Sequence, residues 1–351
     1  MNTPTSGAPR RATISDVARE AGTGKTSISR YLNGELSVLS PQLRARIEAA
    51  IERLDYQPNQ MARGLKRGRN RLIGMLVADL TNPYSVEVLQ GVEAACHALG
   101  YMPLICHAAN EVDMERRFLQ LLTTYRVEGV IVNALGVSEE TLRPVGGGGI
   151  PAVLVDRSVD GLVTDMVGLD NEGATTLATR HLVERGFDRL WFVVQPFENI
   201  SSRRQREAAF HRALEQYPQV SGRTVVLELG DADDLAQTLN ALDAELDATH
   251  RDGAGAAPRV ALFAANGPVA LALARHLNQR HGADWQKRVA LLSIDDPEWA
   301  ELAGITTIRQ PTYDIGYRAV EFLHQRIDGE QASARDCLLP GELIERASTV
   351  R

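Results

Sequence analysis

From Leu72 onward the chain alternates short, uninterrupted apolar runs with amphipathic stretches of helical period, and few folds accommodate that alternation. Runs at 72–77, 102–106, 129–132 and 152–155 are followed by a second series at 190–194, 224–227, 260–264 and 289–294. Strands apolar on both faces belong to parallel sheets with helices covering each side. Two successive series, each of ordinary domain size, predict two doubly wound α/β lobes facing one another. Gly146–Gly149 and residues 252–258 are expected as loose surface loops.

Residues 12–70 follow another pattern. Ile14, Val17, Ala18 and Ala21 recur at i, i+3, i+4 and i+7 and form one apolar helical face. Thr13 with Asp16 makes an acidic variant of the capping box, and Gly22 is placed to close the helix in the left-handed conformation. A second helix is expected over 25–32, with Ile28 and Leu32 inward. Ser40-Pro41 starts a third, buried through Ile47, Ala50, Ile51 and Leu54. Three short helices with a glycine turn make a helix-turn-helix head. The segment GTGKTS at 22–27 imitates the end of a phosphate-binding P-loop. The glycine needed five residues before Gly24 is Arg19, however, and a helix precedes the loop instead of a buried strand.

Charge separates the two parts. The chain carries a formal net charge of −7, yet residues 1–70 hold 12 Lys/Arg against 6 Asp/Glu. A basic head on an acidic body is the asymmetry of a protein whose one end meets a polyanion. No run approaches the roughly 20 apolar residues that span a bilayer, and Met1–Arg11 lacks the apolar core of a secretory signal. A cytoplasmic protein with no membrane partner is expected. Three cysteines make no disulfide framework. Cys96-His97 and Cys106-His107 match no zinc spacing, so no metal and no cofactor is called for.

The run ATISDVAREAGTGKTSISRYLNGE, followed by LDYQPNQMARGLKRGRNRLIGMLVADLTNPYS, resembles the lactose/galactose-repressor family over residues 12 to about 85. VGLDNEGA and SIDDPEWAELAGITTIRQP extend the resemblance toward the end of the chain. A helix-turn-helix, the PNxxAR pattern and this body together are far more specific than a helix-turn-helix alone. Within the family, GKTSISRYLNGE and the basic segment after it are most similar to the 2-ketogluconate-responsive repressors.

The resemblance implies a sequence-specific DNA-binding repressor of a sugar or sugar-acid catabolic operon, acting as a homodimer on palindromic double-stranded DNA. It places Lys25, Thr26 and Arg30 at base edges in the major groove and Ser27, Ser29 and Asn33 at phosphates. Gly24 stands where the family usually has Ser. Residues 58–70 become the hinge helix, with Arg63 at the minor groove and Leu65 as the wedge that unstacks a base step. Gly64 replaces a common Ser there and makes ordering more dependent on DNA. Residues 12–57 are then the DNA-binding domain and 71–351 a periplasmic-binding-protein-like effector and dimerisation body. Its N-lobe takes about 71–169 and 297–329, its C-lobe about 170–296 and 333–351, with crossovers near 169–171, 296–305 and 329–334. The chain ends without a leucine heptad, which disfavours a tail-mediated tetramer.

Ligands of open parallel sheets bind beyond the carboxyl ends of the strands. Asp79, Asn82, Tyr84, Asp156, Arg157, Arg206, Asn266, Asp295 and Asp296 follow those ends. Matched to the family's motifs, Tyr84 and Ser85 pack a ring, Asp156 and Arg157 meet it at the lobe edge, Arg206 grips oxygens, and Asn266, Asp295 and Gln310 bind hydroxyls. Asn266-Gly267 replaces the common Asn-Asp, removing one acid from this region. Arg157 with Arg206 points to an anionic effector, a keto sugar acid such as 2-ketogluconate. The alternatives are a neutral-sugar sensor or corepressor-dependent regulator of the same fold, and a periplasmic-type sugar-binding protein without a regulatory role. An enzyme is not expected, since no nucleophile stands at a recognisable spacing from a base.

Overall fold

The computed structural model describes residues 11–58, 69–133, 142, 149–159, 161–198, 200–251 and 259–350. The chain divides into two compact units, residues 1–70 and 71–351. Residues 59–68 of the expected hinge, Arg63 and Leu65 among them, lie outside the described residues, as do 146–148 and the loop at 252–258.

The head has helices α1 (Ile14–Glu20), α2 (Lys25–Leu32) and α3 (Pro41–Arg53). The capping box forms: Thr13 Oγ1 accepts from the Asp16 N–H while the Thr13 N–H donates to Asp16 Oδ2 at 2.9 Å. Gly22 takes a φ of +59°, a conformation that Cβ-bearing residues adopt only with strain. Ser40 accepts from the Leu43 N–H and caps α3, with Pro41 in its first turn. Val17, Ala18, Ala21, Ile28, Leu39, Ile47 and Ala50 make one small buried core, with Leu32, Ile51 and Leu54 packed at its margin.

The body contains two six-stranded sheets. The first orders its strands β2 (Met102–His107), β1 (Leu72–Val77), β3 (Gly129–Asn133), β4 (Ala152–Val155), β5 (Asp165–Leu169) and β11 (Asp336–Leu339), all parallel. The second orders β7 (Ser221–Val226), β6 (Arg189–Val194), β8 (Val260–Ala264), β9 (Ala290–Ile294), β10 (Thr306–Arg309) and β12 (Glu342–Ile344). Only β12 runs antiparallel there. Alternate side chains of one strand enter different cores, as the period of two demands. Ile73, Met75 and Val77 pack with α4 (Pro83–Leu99), whereas Leu76 faces α5 (Val112–Thr124). Leu190, Phe192 and Val194 likewise oppose Trp191 and Val193, and Phe192 lies 5.2 Å from both the Phe210 and Phe263 rings.

The lobes exchange chain where the local chemistry stops a strand. After β5, Asp170 caps helix α6 (Asn171–Glu184) by accepting from the Gly173 N–H at 2.9 Å, and α6 packs on the second sheet. The second crossover lies at Gln310–Pro311, beyond the expected 296–305. The reason is β10: Thr306 pairs with Leu292 of β9, and Ile308 is fully buried in the second lobe. Pro311 then removes the donor that a longer ladder needs, and helix α11 (Thr312–Ile327) packs on the first sheet. The third crossover lies at Pro340–Gly341, beyond the expected 329–334. Asp165 is why: its buried carboxylate takes paired bonds from Arg326 (2.8 and 2.8 Å) and Arg335, keeping the intervening connection in the first lobe. Residues 297–309 therefore belong to the second lobe, contrary to the expected partition.

Helices α4 and α11 cross in close backbone contact at two glycines. A Cβ on Gly91 would sit 2.0 Å from the Tyr313 carbonyl oxygen, and one on Gly316 would sit 2.0 Å from that of Val88. Among the described residues no helix is long and apolar enough to cross a membrane. Cys96 lies in the first-lobe core, where burial pushes its thiol up to about 12.

Candidate functional site

In the head, α2 separates its residues by face. Lys25, Thr26, Ser29, Arg30 and Asn33 fall within one half of the helix surface at 3.6 residues per turn, with Lys25, Thr26 and Arg30 exposed. Ser27 borders that half, while Ile28 is buried on the other side. Among the described residues Arg30 has only Glu35 as an ionic neighbour, 4.0 Å away and half exposed, a pairing of little strength. Gly24 supplies no side-chain cap to the first turn of α2. Arg46 was not singled out from the sequence, yet it holds the turn between α1 and α2. Its guanidinium donates to the carbonyls of Ala21 (3.0 and 2.6 Å) and Gly22 (2.8 Å), at the negative end of α1.

In the body, the carboxyl ends of both sheets open into one cleft of about 960 Å³. Tyr84, Ser85, Asp156, Arg157, Arg206, Asn266, Asp295 and Gln310 all line it. Tyr84 and Ser85 come from the first turn of α4, Asp156 and Arg157 from the end of β4, and Arg206 from helix α7 (Ser201–Leu214). Asn266, Asp295 and Gln310 follow β8, β9 and β10.

Arg206 is 5% exposed and fixed by two acceptors: its Nε donates to Asn171 Oδ1 and its NH1 to the Ala265 carbonyl, both at 2.7 Å. Asp156 Oδ1 lies 3.8 Å from its remaining NH2 and takes no hydrogen bond among the described residues. Asp156 (φ +68°) and Asp295 (φ +82°) both occupy the left-handed region, so backbone strain aims two carboxylates at the cleft. Burial pushes the Asp295 carboxyl above its usual range, against the opposing field of Arg206. Its oxygens accept from the Gly267 N–H (2.8 Å) and from Gln310 Nε2. The Tyr84 hydroxyl and Gln310 Oε1 are buried and lack hydrogen-bond partners among the described residues. Burial, then the nearby Asp156, raises the Tyr84 phenol well above its ordinary value, so it stays a neutral donor. Buried polar atoms without partners are uncommon in folded proteins, and here they converge on one space.

Some candidates have structural work. Asn82 caps α4 by accepting from the Tyr84 N–H, and Asp79 accepts from both the N–H and the hydroxyl of Thr81. Asn266 uses both ends of its amide: Oδ1 caps helix α9 (Gly267–His281) and Nδ2 donates to Gln195 at 2.9 Å. Asp296 is neutralised by Arg346 (2.6 Å) and Arg309 (2.9 Å). A Cβ on Gly267 would meet Asp295 at 3.4 Å, an ordinary contact, so space for the first side-chain atom does not by itself require glycine there. The lobes also touch across the cleft, the Ser202 hydroxyl donating to Asp156 (3.3 Å) and the Ser158 N–H to Ser201 Oγ (3.0 Å).

Asn171, Gln195 and Arg203 were missed by sequence reasoning. Asn171 acts through hydrogen bonds to residues distant in the chain, which no local pattern displays, whereas Gln195 directly follows the run 190–194 and so had the strand-end signal. Arg203 had a signal: it lies three residues before Arg206, on the same side of one helix.

Residues 13–59 match the family model described as bacterial regulatory proteins, lacI family, and residues 179–349 match the periplasmic binding protein-like domain. The HTH-type transcriptional regulator PtxS of Pseudomonas aeruginosa is 42% identical over 341 residues, 97% of this chain and 96% of its own. The HTH-type transcriptional regulator KdgR of Bacillus subtilis is 35% identical, over 96% of this chain and 97% of its own. Among solved structures, the Lac repressor dimer bound to operator and the anti-inducer ONPF superposes with a TM-score of 0.82 at 24% identity, covering 97% of this chain and all of that one. The likeness to that structure concerns the fold.

Proposed function

The chain belongs to the lacI family of bacterial regulatory proteins and is a DNA-binding transcription regulator, and on that premise we propose that it is a cytoplasmic repressor released from its operator by a small sugar acid. The best candidate is 2-ketogluconate or a close relative, and the controlled genes would serve its breakdown. The observation that carries this reading is the cleft's polar inventory. A buried, rigidly held guanidinium at Arg206 lies beside two carboxylates, with the partnerless Tyr84 hydroxyl and Gln310 carbonyl nearby. A planar cation suits paired oxygens, and the surrounding donors and acceptors suit hydroxyls.

In this reading Lys25, Thr26 and Arg30 read bases, Ser27, Ser29 and Asn33 hold phosphates, and Arg63 and Leu65 of the hinge enter the minor groove. One head reads a half-site, so the working unit is a symmetric dimer on a palindrome. Release follows from linkage. The effector favours one arrangement of the lobes, operator DNA favours another, and each ligand weakens the other by the same factor. The cross-lobe bonds of Asp156 with Ser202 and of Ser158 with Ser201 are the contacts such a rotation would rearrange.

Asp156 and Asp295 favour a second reading, a neutral sugar whose hydroxyls donate to both carboxylates. A gel shift on DNA upstream of neighbouring genes, with a panel of sugars and sugar acids, separates the two. The expected result is a shifted palindromic duplex that sugar acids release and neutral sugars do not. Release by neutral sugars alone supports the second reading. Failure to shift any palindromic DNA at low salt removes the repressor altogether.

A further inference from the structure

The geometry points to Arg203 as the residue that makes the cleft selective for an acid over its neutral analogue, by receiving the effector's carboxylate. This rests on the sugar-acid reading above and assigns the charge discrimination within it. Arg203 lies one turn before Arg206 on α7, lines the same cleft and is half-buried. The two guanidiniums differ in what already holds them. Arg206 has the Asp156 carboxylate 3.8 Å away. Arg203 has only neutral acceptors among the described residues: NH1 donates to the Pro196 carbonyl at 2.8 Å and NH2 to Gln195 Oε1 at 2.9 Å.

Those two bonds orient the guanidinium without neutralising it. A guanidinium carries five N–H donors, so the two bonds leave Arg203 with donors to spare. Gln195 Oε1 also accepts from Asn266 Nδ2, so the orientation of Arg203 is tied to the cap of helix α9 in the same lobe. Burial, and then the proximity of Arg157, bring the Arg203 guanidinium down to about 10; they outweigh the opposite pull of Asp156 and Glu228, so the cation stays short of counter-charge. A neutral sugar would leave that shortage in place. A carboxylate would relieve it, with two oxygens to meet the fork of one arginine.

D-fructose is the matched probe, since it differs from 2-ketogluconate only in having a hydroxymethyl group where the acid has its carboxylate. Affinities of both for the full-length chain are to be measured by calorimetry, for the unmodified protein, Arg203→Gln and Gln195→Glu. The second variant keeps both hydrogen bonds to Oε1 but places a carboxylate against Arg203, so it tests the charge without removing the arginine. The unmodified protein is expected to prefer the acid by at least about 100-fold, and each variant to reduce that ratio by about 10- to 100-fold, the size of one charge-assisted contact. Variants that keep the ratio while the unmodified protein prefers the acid overturn the assignment of Arg203 alone. An equal loss for acid and fructose does the same, since it marks a merely structural role. An unmodified protein that prefers fructose, or binds neither, overturns the sugar-acid reading and this inference with it.

Discussion

Arg206→Ala removes the group on which the cleft is built, and the size of the effect follows from its contacts. The guanidinium is 5% exposed and satisfies Asn171 Oδ1 and the Ala265 carbonyl, each at 2.7 Å. Truncation leaves both acceptors without that donor and withdraws a positive charge 3.8 Å from Asp156. A hydrogen bond from a charged donor is worth about 1.5–3 kcal/mol. Two such bonds do not add in full, because water from the open cleft replaces part of what is lost. A loss of about 2–4 kcal/mol in unfolding free energy is therefore expected, read by urea titration of the full chain. The effector concentration that releases operator should rise by about 100-fold or more, read by fluorescence anisotropy of labelled duplex. Arg206→Lys should fall between the two, since one ammonium cannot hold both acceptors and still face the ligand. A variant as stable as the parent would refute the part assigned to the two hydrogen bonds. One that responds normally to effector would refute the assignment of Arg206 itself.

Three further outcomes test other parts of the molecule. Asp165→Asn should cost about 3–5 kcal/mol of stability, because it leaves Arg326 and Arg335 beside a neutral amide. Burial alone would raise the Asp165 carboxyl, but the bonds from Arg326 and Arg335 outweigh it and hold the group well below the usual carboxylate range. Its contribution is thus complete above about pH 4 and drains away as pH falls further toward the folded-state value. Urea midpoints measured against pH should show a steeper acid-side loss in the parent than in Asp165→Asn, which keeps only the part due to Asp243 and Asp296 and other carboxylates. Gly91→Val should lose about 3 kcal/mol or fail to fold, since its side chain would enter the Tyr313 backbone at the α4–α11 crossing; a thermal midpoint equal to the parent's would contradict the crossing. Leu65→Ala, in the segment expected as the hinge, should weaken specific operator binding by about tenfold or more while leaving non-specific binding nearly intact. Equal losses on both would instead make that segment a plain basic linker.

The apolar strands were legible because they are buried on both faces and read as unbroken runs: LIGMLV, AVLV and VALFA need no partner to declare themselves. Strands β5, β10, β11 and β12 gave no such signal. DMVGL opens on an acid and contains glycine, TTIR has one apolar residue in four, and the last two are short edge strands with exposed residues. The crossovers went astray for the same reason, since the lobe to which β10 belongs depends on its pairing with β9 and periodicity carries no pairing. The cleft was legible by a topological rule, that strand carboxyl ends face ligand. That rule cannot tell a ligand-facing side chain from a cap, so Asn82, Asp79 and Asp296 entered the candidates although the structure occupies them otherwise. Gln195, directly after β6, satisfied that rule and was still not singled out, while Asn171 follows β5, a strand the pattern did not show.

The central claim, a repressor whose grip on DNA is opposed by a sugar acid, is tested most directly by one titration. Full-length protein is bound to a labelled palindromic duplex from upstream of its neighbouring genes, and 2-ketogluconate is added while anisotropy reports the bound fraction at fixed salt. The account predicts tight binding that weakens steeply with salt and a fall in operator affinity of at least about tenfold at saturating acid, equivalent to a coupling of about 1.4 kcal/mol. Operator affinity that stays constant or increases as the acid saturates its cleft would contradict it.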